Sequence, residues 1–125
     1  MEKTGDLAST RDALEASLKL TPEQFRAQLL LGKVYLAMKE AQAAEERFES
    51  ALLLQPKSLE AQLGVAKAQI AEGSFADAAQ QLEPLSKSYA GTPQIFELLS
   101  RVYSVLGKKE QAEKAERKAK LLRKK

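Results

Sequence analysis

A sequence period of about 34 residues constrains this chain more than any other feature, because a fixed period in that range marks a repeat architecture. From Leu30 the sequence reads LLGKVYLAMKEAQAA, and from Leu98 it reads LLSRVYSVLGKKEQA. The two stretches stand two periods apart. A midway copy from Gly64, GVAKAQIAEGSFADA, keeps the aliphatic, small and basic positions and the final alanine, although Gln69 replaces the tyrosine. In such an architecture a repeat buries its apolar face only against its neighbours.

Breakers cut each period into a pair of helices. Thr21-Pro22-Glu23-Gln24 combines a capping threonine, Pro at the first helical position and Gln at the third, which predicts a helix start. Ser58 and Thr92-Pro93 open further helices in the same way. Turns are predicted near Lys39, Gly73 and Gly107, with Gly73-Ser74 joining a terminator to an N-cap. The resulting helices cover about 10–20, 22–38, 41–54, 59–72, 75–89, 93–106 and 108–123. No segment alternates with a period of two, so no strand is predicted.

The period also fixes the buried stripes. In the first helix of each pair the recurring positions are Leu31, Val65 and Leu99; Gly32, Ala66 and Ser100; Tyr35, Gln69 and Tyr103. In the second they are Ala44, Ala78 and Ala112; Phe48 and Leu82; Ala51, Leu85 and Ala119. Spacings of one, three and four residues put each set on one face, and small residues beside large ones let helix axes approach closely. Pro84 removes one backbone hydrogen bond from its helix and is expected to kink it.

The segment 25–58, with Leu31, Gly32, Tyr35, Ala44, Phe48, Ala51 and Pro56, resembles a tetratricopeptide repeat. Gln28 stands where the early tryptophan of that family belongs. Residues 59–92 and 93–125 resemble further repeats less fully, departing at Gln69, Leu85 and Ala90 and at Glu116. The resemblance implies an all-α fold, a right-handed superhelical solenoid of stacked antiparallel helix pairs forming one domain. Residues 1–24 fit half a repeat, because Leu14, Ser17 and Pro22 lie one period before Phe48, Ala51 and Pro56. The chain thus reads as beginning inside a repeat, as though cut from a longer array; an N-terminal capping helix is the alternative.

Composition narrows the functions. With no Cys, His or Trp, the chain has no disulfide and no thiolate or imidazole for metal binding, nucleophilic attack or proton transfer. The remaining polar residues are scattered over helical surfaces, and the Gly-Lys pair of LLGKV lacks the upstream glycine and strand of a phosphate loop. The reading is therefore no enzyme and no cofactor. No signal-peptide core or membrane-length apolar run is present. These features leave the compartment open, with a cytoplasmic location slightly favoured.

Stacking leaves one surface for recognition. Residues two before and two after the aliphatic core position turn away from the helix-pair core and are expected to line a concave groove. They are Leu29 and Lys33, Leu63 and Lys67, and Glu97 and Arg101, followed one turn later by Leu36, Ile70 and Ser104. Lys33, Lys67 and Arg101 form a ladder of bases flanked by aliphatics. The plainer alternative leaves the bases solvated and packs the leucines between helices. Modules of this family that clamp the acidic tails of chaperones use Lys then Asn, Asn, and Lys then Arg at these positions. Only Arg101 matches, so the resemblance argues against that ligand and leaves a different acidic or amphipathic peptide.

The stretch from Lys108 to Lys125 carries nine bases and three acids, whereas the chain as a whole has a net charge of +3. This basic helix reads as a solubilising cap on the last repeat rather than a nucleic-acid reader, having no interleaved aromatics. The sequence thus points to a non-catalytic scaffold binding a partner peptide or helix, with an acidic one fitting the ladder. Self-assembly through exposed terminal repeats is the second reading, and phosphate or nucleic-acid contact through the basic helix the third.

Overall fold

The computed structural model describes the backbone of residues 2–124 and the side chains of residues 6–124. Met1 and Lys125, the outer ends of the first and last predicted segments, lie outside the described residues. Seven helices follow one another: α1 Glu2–Leu20, α2 Phe25–Ala37, α3 Ala41–Leu54, α4 Leu59–Glu72, α5 Phe75–Ser88, α6 Pro93–Val105 and α7 Lys109–Lys124. The described residues contain no strand. The architecture is an all-α helical repeat, and it divides into two compact units that part between Glu72 and Gly73. That boundary falls inside the segment 59–92, between its two helices.

Two boundaries differ from the sequence reading. α1 runs back to Glu2 instead of starting near residue 10. A glycine inside a helix costs only about 1 kcal/mol, so Gly5 does not stop it, and Leu7, Leu14 and Leu18 continue along one face. α2 begins at Phe25 rather than Pro22, and its N-cap position, Gln24, makes no side-chain capping bond. The Gln24 amide instead turns back, donating to the Thr21 carbonyl at 2.7 Å and to the Ser17 carbonyl at 3.2 Å. Ser58 does cap α4: its hydroxyl accepts from the Ala61 amide at 3.1 Å. α5 continues through Pro84.

The turns that close α2, α4 and α6 share one device. Lys39, Gly73 and Gly107, each one period from the next, all have positive φ, at 64°, 83° and 79°. After Lys39 the Glu40 amide donates back to the Tyr35 carbonyl at 2.9 Å, and after Gly107 the Lys108 amide donates to the Tyr103 carbonyl at 2.9 Å. Such a left-handed residue satisfies carbonyls that a helix end leaves without partners.

In the first unit α2 packs against α1, α3 and α4, and α3 also packs against α4. The centre is Phe48 of α3, 1% exposed, among Leu29, Ala44, Ala51, Ala61, Val65 and Ala68. Both Gly32 and Gly64 meet the Phe48 ring. A methyl group at either would come within 2.8 Å and 2.4 Å of Phe48 Cδ1, respectively. In the second unit α6 packs against α5 and α7. Leu82, Ile95 and Val102 are fully buried there, and Ala112, Ala115 and Ala119 seat α7.

Candidate interaction site

The predicted groove residues fall into two classes. Leu29, Leu63 and Ile70 are 2%, 6% and 8% exposed, so they do not offer an apolar lining to a partner. This corrects the expectation that they face a groove. Leu29 shows the reason: α2 has α1, α3 and α4 as neighbours, so positions beside the core stripe are covered too. Leu36 is half-buried against the same core cluster.

The bases remain at the surface, but Lys33 of the first unit has an acid of its own. Lys33 on α2 is exposed, and its ammonium donates to the Glu60 carboxylate on α4. Arg26 Nη1 stands 3.9 Å from the same carboxylate. Lys33's hydrogen bond, with the charges of Lys33, Arg26 and the half-buried Lys67, holds the Glu60 carboxyl below the usual carboxylate range despite partial desolvation. Lys33 is therefore paired within the molecule, whereas Lys67 only contributes its charge to the field at Glu60.

Arg101 is placed differently. It is exposed on α6 and lines a cleft of about 690 Å³ with Ser100, Ala119, Lys120, Lys124 and the acids Glu97 and Glu116, each of which is taken by another base. Arg101 and Lys124 make no ion pair among the described residues. Lys120 is paired with Glu116 one turn earlier, at 3.4 Å. At the cleft edge Arg123 forks onto Glu97, Nε to Oε2 at 2.5 Å and Nη2 to Oε1 at 2.9 Å. That bond depresses the Glu97 carboxyl and raises the Arg123 guanidinium. Sequence reasoning did not bring Lys120 and Lys124 to Arg101. Their only signal was their position on α7 one and two turns beyond Glu116, on the flank of the alanine stripe.

The repeat also carries hydroxyl–carboxylate bonds. Tyr35 donates to Glu15, and two periods on Tyr103 donates to Glu83 at 2.6 Å. Burial, then the bond and charge of Glu83, push the Tyr103 phenol well above its ordinary value. At the middle position Gln69 bonds Glu45 weakly at 3.3 Å, and its buried Oε1 has no partner. None of these groups forms a nucleophile–base pair. Among the described residues no cluster of acids is arranged to hold a metal ion, and no helix is long and apolar enough to cross a membrane.

Known proteins share this arrangement of helices. The solved structure "Crystal structure of MamA" is similar, with a TM-score of 0.87 and 22% identity over 97% of this chain and 71% of that one. "MamA RS-1 ArsTM double mutant" gives a TM-score of 0.88 at 17% identity, covering 98% of this chain and 69% of that one. A tetratricopeptide repeat protein from Parabacteroides merdae ATCC 43184 gives 0.76 at 21% identity, covering 91% of this chain and 44% of that one. At these identities the likeness is one of fold. No curated protein matches the chain. Two family models described as tetratricopeptide repeat match it, over residues 36–102 and 2–58. With the first model spanning more than half of its length, the chain belongs to the tetratricopeptide repeat family.

Proposed function

We propose that this protein is a non-catalytic interaction scaffold that holds a peptide or helix of a partner protein, with an acidic segment preferred. The observation that carries this reading is the cleft between α6 and α7. There the two acids, Glu97 and Glu116, pair with Arg123 and Lys120, and Arg101 and Lys124 make no ion pair among the described residues. Bases gathered on one wall raise the local concentration of an acidic segment and speed its association more than they add final affinity. Helix packing fixes that wall beforehand, so docking costs little reorganisation. The basic helix α7 serves the protein partner and caps the last repeat.

The test is association kinetics with a labelled Glu-rich peptide. Arg101→Glu combined with Lys124→Glu is expected to slow association at least about tenfold at low salt, with the gap narrowing at high salt as screening removes steering. Lys33→Glu is expected to act far more weakly. Unchanged association of the peptide with the double variant at low salt refutes the reading.

A further inference from the structure

The period places equivalent clefts in both compact units, and their chemistry differs. In the first unit Gln28, Tyr35, Glu46 and Arg47 line a cleft of about 320 Å³. Two periods on, Phe96, Tyr103, Lys114 and Ala115 line one of about 500 Å³ in the second. The first is narrower, because a hydrogen-bonded pair bridges its wall. Gln28 is buried, donates to the Pro22 carbonyl at 3.1 Å and accepts from Arg47 Nη1 at 3.1 Å.

In the second unit every part of that bridge is substituted. Phe96 replaces Gln28, Ala115 replaces Arg47, and Lys114 stands where the first unit has Glu46. A methyl group cannot fill the space of a guanidinium arm, so the cleft stays open, walled by Phe96, Leu99 and Ala115. Its rim is basic. Lys118 Nζ lies 5.8 Å from the centroid of the half-exposed Phe96 ring, and neither Lys114 nor Lys118 has an ion pair among the described residues. The size falls within the range of about 300–1,000 Å³ usual for ligand clefts, where apolar walls and a few placed charges work together.

We propose that this cleft is a second docking site, for an acidic peptide segment of a partner protein. One aromatic side chain of the segment seats on Phe96 and Ala115, and acidic residues flanking it pair with Lys114 and Lys118. Charge complementarity selects the occupant, because the charged lining residues here are both bases, whereas the counterpart sets Glu15 and Glu46 beside Lys19 and Arg47. The site lies on a different face of α7 from the Arg101 cleft, using Lys114, Ala115 and Lys118 rather than Lys120 and Lys124. It does not depend on the reading of that cleft.

The chain contains no Trp, so a single indole in a short Glu/Asp-rich peptide reports only the peptide. Added to the full chain, this peptide is expected to show a saturable blue shift and rise in anisotropy, and a Lys-rich analogue none. Ala115→Arg, which rebuilds the arrangement of Arg47, and Phe96→Gln should each weaken binding at least about tenfold. Lys114→Glu with Lys118→Glu should do the same at low salt, and Lys57→Glu, a charge reversal in the exposed turn before α4, should leave the shift unchanged. Helical circular dichroism confirms folding of each variant. Phe96 is half-exposed, so Phe96→Gln keeps the test decisive even if Ala115→Arg unfolds. Absence of a saturable shift overturns the proposal. So does a shift indifferent to Phe96→Gln and lost in Arg101→Glu, or one displaced equally well by single-stranded DNA.

Discussion

Adding a methyl group at Gly64 sets helix propensity directly against packing. Alanine is better than glycine in a helix interior by about 1 kcal/mol, and Gly64 lies inside α4. Propensity alone therefore predicts a more stable protein. The structure predicts the reverse. The new Cβ would stand 2.4 Å, 2.5 Å and 2.7 Å from Cδ1, Cε1 and Cγ of Phe48. Unstrained carbon contacts lie at about 3.5–4.0 Å. The ring cannot retreat, since it is 1% exposed and Gly32 of α2 meets it as well. Overpacking of this kind costs about 1–3 kcal/mol, and three overlapping ring atoms argue for the upper end. Less the propensity gain, Gly64→Ala should lose on the order of 1–2 kcal/mol. Gly32→Ala, whose Cβ would come no nearer than 2.8 Å, should lose less. Urea unfolding followed by helical circular dichroism reads both. Phe48→Leu should relieve the clash, since Leu82 is the equivalent residue of the next repeat, so the double variant should show a coupling of about 0.5–3 kcal/mol. A rise in the midpoint for Gly64→Ala, or additive behaviour with Phe48→Leu, refutes the packing argument.

Three further outcomes are expected. Lys39→Gly should raise stability in urea by about 0.5 kcal/mol, because relief of a left-handed non-glycine residue exceeds the added freedom of the unfolded chain. Gln69→Tyr should stabilise by on the order of 1 kcal/mol by removing the unpartnered buried oxygen and supplying the hydroxyl present at Tyr35 and Tyr103; a lower midpoint shows that the middle repeat has no room for the ring. Glu97 and Glu60 have depressed carboxyl pKa values, so their pairs contribute stability above the ordinary carboxylate value near about 4.3, and lose it as pH falls through the folded values. Both pairs are well exposed, so the effect is small, and Glu97→Gln should make the fall in urea midpoint between neutral and acid pH shallower.

The core was legible in the sequence and the surface was only partly so. Leu31, Val65 and Leu99, with Ala44, Ala78 and Ala112, recur at a spacing that leaves one way to bury them, and all six are buried. Gly64 was hidden because its periodic equivalents are Leu30 and Leu98: the close approach belongs to one aromatic ring, not to the repeat. Leu29 reads as groove-facing in the sequence and is buried in the structure, because the geometry of one helix does not say how many neighbours it has. The Lys33–Glu60 and Arg123–Glu97 pairs join residues on different helices, and no helical periodicity links their numbers. Thr21-Pro22 has the residue types of a helix start, yet the Gln24 side chain closed the turn first.

The Phe48 ring has a consequence for how the first unit opens. In an array of stacked repeats each helix pair ordinarily behaves as one link in a chain, and the ends fray independently of the middle. Here a single side chain of α3 touches the backbone of α2 on one side and of α4 on the other, through glycines that leave no side chain to act as a cushion. Neither α2 nor α4 can separate from α3 without exposing the same ring to water. The three helices are thereby joined into one cooperative opening unit, a foldon wider than one repeat. Their slowest-exchanging amides should share a common protection, while those of α1, which lies outside the Phe48 core cluster, exchange at a lower free energy.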